Sequence, residues 1–150
     1  MKTWYFPHHA RFENKVADIL ERHGTCLILD CHSFPSSALP YELQTEDRLR
    51  PDICIGTDHY HTSEWVEQVF SHAFQKRGWN TAVNDPFSGS MVPSRFFRQD
   101  PRVTSIMIEV NRKLYLDEST GLPIADFKNI STSLKSCCLD AVFAIEDHVV

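Results

Sequence analysis

The stretch Thr25-Cys26-Leu27-Ile28-Leu29-Asp30, followed at once by Cys31-His32-Ser33-Phe34-Pro35, decides how this chain is read. Its first half is short and apolar without alternation, the pattern of a strand buried on both faces, as a central parallel strand is. Polar residues then arrive abruptly, and the spacing predicts that the strand ends at Asp30. Upstream, residues 10–22 place Phe12, Val16, Ile19 and Leu20 on one helical face, with Gly24 as a natural stop. A helix leading into a buried strand predicts α/β architecture, and the rest of the chain repeats the alternation.

Asp52 to Gly56 reads as a second short strand. Trp65, Val66, Val69, Phe70, Ala73 and Phe74 form a broad helical stripe, with Thr62 or Ser63 placed to cap it and Gly78 to end it. Trp79 to Asn84 supplies a third strand, and Asp85-Pro86-Phe87-Ser88-Gly89-Ser90-Met91 is turn-rich. Val103 to Val110 is a fourth strand, rich in β-branched and apolar residues. A last helix is expected from about Asp126 to about His148. With no internal repeat, low-complexity tract or linker, residues 1–150 read as one domain: a mostly parallel or mixed sheet flanked by helices.

Composition narrows the function. The 150 residues are 42% hydrophobic and 23% charged, with a net charge of −5, so there is no clustered basic footprint for nucleic acid. No apolar run approaches the ~20 residues of a membrane span, and the N-terminus lacks the apolar core of a signal peptide. The expected location is cytoplasmic, without a nucleic-acid or membrane partner. Five cysteines, at 26, 31, 54, 137 and 138, lack paired metal-knuckle spacing and read as reduced, mostly buried thiols.

Chemistry concentrates where strands end, because side chains there leave the core and face a crevice. His32 is placed to ligate a metal while Asp30 orients its other ring nitrogen; the simpler reading of the same residues is an ordinary capped loop. Glu109 lies in an otherwise apolar strand, Ser105-Ile106-Met107-Ile108-Glu109-Val110. A carboxylate there is either a general base for an activated water or half of an ion pair with Arg112. Arg112, Arg50 and Arg95 offer planar forks for a substrate carboxylate, though each alone also fits a surface charge. Asn84, in the turn Asn84-Asp85-Pro86, could face a substrate oxygen or simply make the turn. His8 and His9 are further imidazoles, and His59 and His61 read as solvated.

In this order, Trp4-Tyr5-Phe6-Pro7-His8-His9, Leu27 to Pro35, Arg50 to Thr57, Asn84 to Gly89 and Ile106 to Tyr115 together resemble the N-formylglutamate amidohydrolase family, a branch of the zinc carboxypeptidase-like hydrolases. The resemblance implies a phosphorylase/hydrolase-like α/β fold, zinc, and hydrolysis of an N-acyl amino acid such as N-formyl-L-glutamate. It implies that His32 is a metal ligand, that Glu109 is the catalytic carboxylate, and that Arg112 lies near the substrate's acid group; Arg95, Asn84 and Ser33 are further candidates for contacting substrate, and His9 for a second metal ligand.

Family members are longer and carry an earlier His-containing segment that supplies other zinc ligands, so a truncated fold with an incomplete metal site is expected here. Three outcomes follow from that expectation. The chain is one subunit of a split hydrolase that joins a missing half or a second copy, His8 or His9 substitutes as a ligand, or the protein is a non-catalytic acid binder.

Overall fold

Four strands make one mixed sheet in the order β1-β4-β2-β3: β1 is Cys26–Phe34, β2 Ile53–Gly56, β3 Thr81–Val83 and β4 Val103–Asn111. The computed structural model describes residues 2–40, 42 and 49–149. β1 and β4 are parallel, as are β2 and β3, whereas β2 and β4 are antiparallel. The sheet is therefore mixed, within the expected class. The reversal of sense falls between the two central strands, β4 and β2.

Side chains alternate across a strand, so the register assigns each residue to a face. Cys26 and Ile28 pair with Val103 and Ser105, and on this face Val16 and Leu20 of α1, Tyr5–His23, close the core together with Phe96. On the other face Ile53, Ile55, Ile106 and Ile108 pack against Val66, Phe70 and Phe74 of α2, Glu64–Gln75, and Cys137 and Ala141 of α3, Phe127–Val149. Phe70 and Phe74 are fully buried, and truncating either to Ala costs about 3–5 kcal/mol.

The local signals act as expected at several ends. Gly24 takes φ 78° and its N–H reaches the Leu20 carbonyl at 2.9 Å, ending α1. Ser63 caps α2 by accepting from the Val66 N–H, while Thr62 instead donates to the Ser105 carbonyl at 2.6 Å. α1 starts earlier than its apolar stripe, at Tyr5, because Pro7 falls in the first turn, where no N–H is needed.

The largest difference lies in β1. It does not stop at Asp30 but runs through Cys31, His32 and Ser33 to Phe34, because the ladder to β4 continues to the pair Phe34 and Asn111. His32 thus stands on a strand rather than in a capped loop. β3 is shorter than expected. After a 3-10 turn at Arg112–Leu114, a small hairpin of β5, Leu116–Asp117, and β6, Leu122–Pro123, forms over a stretch that carried no alternation to announce it.

Candidate active site

His32 and Glu109 are register partners on the parallel strands β1 and β4, and Cys54 of β2 faces Glu109 from the other side. Register partners share a face, so the three side chains form a row near the C-terminal end of β1 and β4. Asp30, two residues before His32, lies on the same face, and its Oδ1 accepts from His32 Nε2 at 2.7 Å. This fixes the ring and leaves Nδ1 free of that bond.

Glu109 is only 8% exposed, and its Oε2 is buried without a hydrogen-bond partner. Burial pushes its pKa above the usual glutamate value, and the Asp30 charge adds to the rise; His32, Arg112 and Arg50 pull it back. A buried carboxylate with an unused oxygen is suited to accept a proton from a group brought beside it.

A loop roofs this face. Met91 N–H donates to Asp30 Oδ2 at 2.9 Å, so one carboxylate holds both His32 and the loop. The Cys54 thiol reaches the Phe87 carbonyl at 3.2 Å, and burial raises its pKa. Gly89 N–H donates to the Thr57 carbonyl. This approach requires glycine at 56: a Cβ there would collide with Met107 Cε and lie 2.5 Å from the Gly89 carbonyl oxygen.

The remaining candidates separate. Ser33 pairs with Val110 and belongs to the opposite face from Glu109. Arg112 donates to Ser33, Nε to Oγ and a terminal nitrogen to the carbonyl, both at 3.3 Å. Its charge is felt at Glu109, but the ion pair between them is not made. Arg95 lies beside Ala17, Leu20 and Arg102, at the far end of β4 from Glu109, with its guanidinium over Phe96.

Asn84, at φ 54°, turns inward: its Oδ1 accepts from Thr57 N–H at 2.9 Å and its Nδ2 donates to Thr57 Oγ1 at 2.8 Å. His9 is half-buried on α1 with its ring 4.2 Å from Tyr5. Arg50 is buried between Phe34 and Phe87, donates to the Pro35 carbonyl at 2.8 Å and pairs with Glu42. It is a strut between β1 and the roof loop as much as a cation near Glu109.

His61 corrects the expectation of a solvated imidazole. It is 2% exposed, bonded through Nδ1 to the Val103 carbonyl and accepting at Nε2 from the Arg98 N–H, both at 2.7 Å. Asp58 adds bonds to the N–H groups of Tyr60 and His61 and to the Arg98 guanidinium. His59, by contrast, is exposed. Cys31 is also exposed, unlike Cys26, Cys54 and Cys137, and all five thiols are free. The site residues that the sequence reading passed over are Cys54 and Met91; nothing in their local sequence marks a partnership set by register and by a long-range loop contact.

A catalytic zinc takes three protein ligands and an open position. Among the described residues no group of three or more His, Cys, Asp or Glu side chains is placed to hold a metal ion. His32 and Glu109 offer one imidazole nitrogen and one carboxylate, so these residues do not make a self-contained zinc site.

A family model described as N-formylglutamate amidohydrolase matches residues 1–116. A solved N-formylglutamate amidohydrolase from Ralstonia eutropha superimposes with a TM-score of 0.78 at 25% identity, covering 97% of this chain and 51% of that one. A solved gene product from Agrobacterium tumefaciens, at TM-score 0.63 and 18% identity, covers 95% of this chain and 52% of its own and shares the fold. The chain spans about half the length of either structure. No curated protein sequence matches it.

Proposed function

The chain belongs to the N-formylglutamate amidohydrolase family, and from that membership we propose that it carries the proton-transfer half of a site hydrolysing the amide of an N-formyl amino acid such as N-formyl-L-glutamate. The observation that carries the reading is Glu109: a buried carboxylate with an unpartnered oxygen, aligned with His32 where two parallel strands end. In this mechanism Glu109 takes a proton from the attacking water and returns it to the leaving amine. His32, held by Asp30, faces the same reacting centre. Arg112, bonded only at 3.3 Å to Ser33, is the cation best able to turn toward a substrate carboxylate. Arg95, beside Arg102 just before β4 begins, is too far from Glu109 to share that role.

His32 would hold a zinc ion only together with donors beyond the described residues. The five free thiols accord with a reducing, cytoplasmic setting. The test is formate release from N-formyl-L-glutamate by zinc-supplied protein, beside His32→Ala. Release that falls at least ~10²-fold in the variant supports the reading; equal release in both contradicts it. A second reading is an acid-binding protein without turnover, since among the described residues His32 and Glu109 have no third donor placed beside them to hold a metal ion. That reading predicts N-formyl-L-glutamate binding by calorimetry that zinc does not change, and no formate.

A further inference from the structure

Cys31 and Cys138 face each other where β1 packs on α3. On β1 the residues Leu27, Leu29, Cys31 and Ser33 share one face, and Cys31 pairs with Ile108, which belongs to the core closed by α2 and α3. On α3, Leu134, Cys138, Val142 and Ile145 pack against that core and recur at the spacing of one helical stripe. Two cavities set how strand and helix align. One of about 650 Å³ is bounded by Leu27, Leu29, Val142 and Ile145. Another, of about 250 Å³, is bounded by His32, Ser33, Phe127, Ser131 and Leu134. β1 and α3 thus run in opposite senses, and Cys31 and Cys138 are the members of the two rows that fall between the cavities.

The lengths agree with that alignment. From Leu29, two strand steps to Cys31 cover about 6.6 Å, and from Val142, four helical steps to Cys138 cover about 6 Å. Electrostatics points the same way. Burial first, and then the charge of Cys31, push the Cys138 thiol up to about 11, with Cys31 felt ahead of the sequence neighbour Cys137. The other thiols are placed elsewhere: Cys26, Cys54 and Cys137 are buried, and Cys137 Sγ donates to the Ala73 carbonyl of α2 at 3.3 Å. Cys31 is exposed, its thiol in long contact, 3.9 Å, with the Leu29 carbonyl. Cys138 is half-buried behind it.

We propose that Cys31 and Cys138 are a redox-modification site, closed to a reversible disulfide by a low-molecular-weight disulfide. The exposed Cys31 reacts first. Its thiolate attacks one sulfur of the oxidant, forming a mixed disulfide and releasing one thiolate; Cys138, as thiolate, then attacks Cys31 Sγ, forming the intramolecular bond and releasing the second. Two protein thiols are oxidised, the oxidant is reduced to two thiols, and the two protons lost by the cysteines end on them. In a reducing compartment such a bond is transient and redox-sensing rather than structural. Cys31 lies on the opposite face of β1 from Glu109, so the pair stands outside the proton transfer proposed above. Its closure tethers α3 to β1 at the rim of the cavity beside His32.

The test incubates the full chain with oxidised glutathione in mildly alkaline buffer, blocks the remaining thiols and maps the unreduced peptides by mass spectrometry. A linked Cys31–Cys138 peptide, lighter than its two parts by two hydrogens, is expected in at least ~10-fold excess over glutathione-bound Cys31, because the second thiol attacks within the molecule. Dithiothreitol should return both thiols. Cys138→Ala should instead trap glutathione on Cys31, Cys31→Ser should abolish the link, and Cys137→Ala should leave it intact. Deuterium uptake across Ser131 to Cys138 should slow on oxidation of wild type but not of Cys138→Ala. Glutathione persisting on wild-type Cys31, a link through Cys137, or a link only between two chains overturns the proposal, as does absence of any oxidation at Cys31.

Discussion

Asp30 holds His32 and Met91 at once, through its two carboxylate oxygens at 2.7 and 2.9 Å, so the imidazole of the site and the loop that roofs it share one anchor. Replacing Asp30 by Ala frees both and leaves the Met91 N–H without its acceptor. The expected loss is about 1–2 kcal/mol of stability by urea denaturation, with faster deuterium uptake confined to residues 88–92. An unchanged midpoint and unchanged uptake would remove Asp30 from this role.

The pH dependence follows from Glu109. It must be ionised to accept a proton, and burial first, then the Asp30 charge, raises its pKa. The acid limb of the rate profile should therefore lie above the ordinary glutamate range, with activity lost as pH falls through it. Asp30→Asn removes the anion that adds to the rise and should move the limb to lower pH. A limb at the position of an exposed glutamate, unmoved by Asp30→Asn, would contradict the assignment.

The same shift has a stability consequence of definite sign. Folded Glu109 holds its proton more tightly than the unfolded chain does. Its contribution is full below the unfolded value and lost as pH rises through the raised folded value. Glu109→Gln should thus melt higher than wild type at pH 8, with the gap closing toward pH 4. A lower melting temperature at pH 8 would mean that the ionised carboxylate is net stabilising.

Gly56→Ala tests the roof. The added Cβ meets Met107 on its own face and the Gly89 carbonyl above it, so either the loop lifts or β4 shifts. Overpacking of this kind costs about 1–3 kcal/mol, and here it should also weaken N-formyl-L-glutamate binding, because the loop covers the row of Cys54 and Glu109. Wild-type stability and binding would show that the loop is not seated as described.

His61→Phe addresses the second buried network. An aromatic ring is kept, but the Val103 carbonyl and the Arg98 N–H lose their partners. Each orphaned group costs about 1–3 kcal/mol. Calorimetric melting should register that loss, while a variant as stable as wild type would assign the two bonds no net weight.

Much of this architecture is legible in the sequence because its signals are local. The stripe of Val66, Phe70 and Phe74, the cap at Ser63 and the stop at Gly24 each act within a few residues. Glu109 stands out because an ionisable group in an apolar strand has a cost that only a partner or a function offsets. What stays hidden is set by partners distant in sequence. The extension of β1 through His32 depends on β4 continuing to Asn111, some eighty residues later.

His61 looks like any loop histidine until Arg98 and Val103 close over it. Ser33 and Glu109 appear equivalent as strand-end polar residues, yet a single step along β1 sends Ser33 to the opposite face. Arg95 fails as a substrate clamp for the same kind of reason: its type is right, but it sits before the start of β4, at the opposite end of that strand from Glu109.

The proposed proton transfer by Glu109 is measured by formate release from N-formyl-L-glutamate by wild type and Glu109→Gln, with substrate binding followed in parallel by calorimetry. The prediction is a rate reduced by about 10²–10⁴-fold with binding retained. A Glu109→Gln protein that releases formate at the wild-type rate would contradict it.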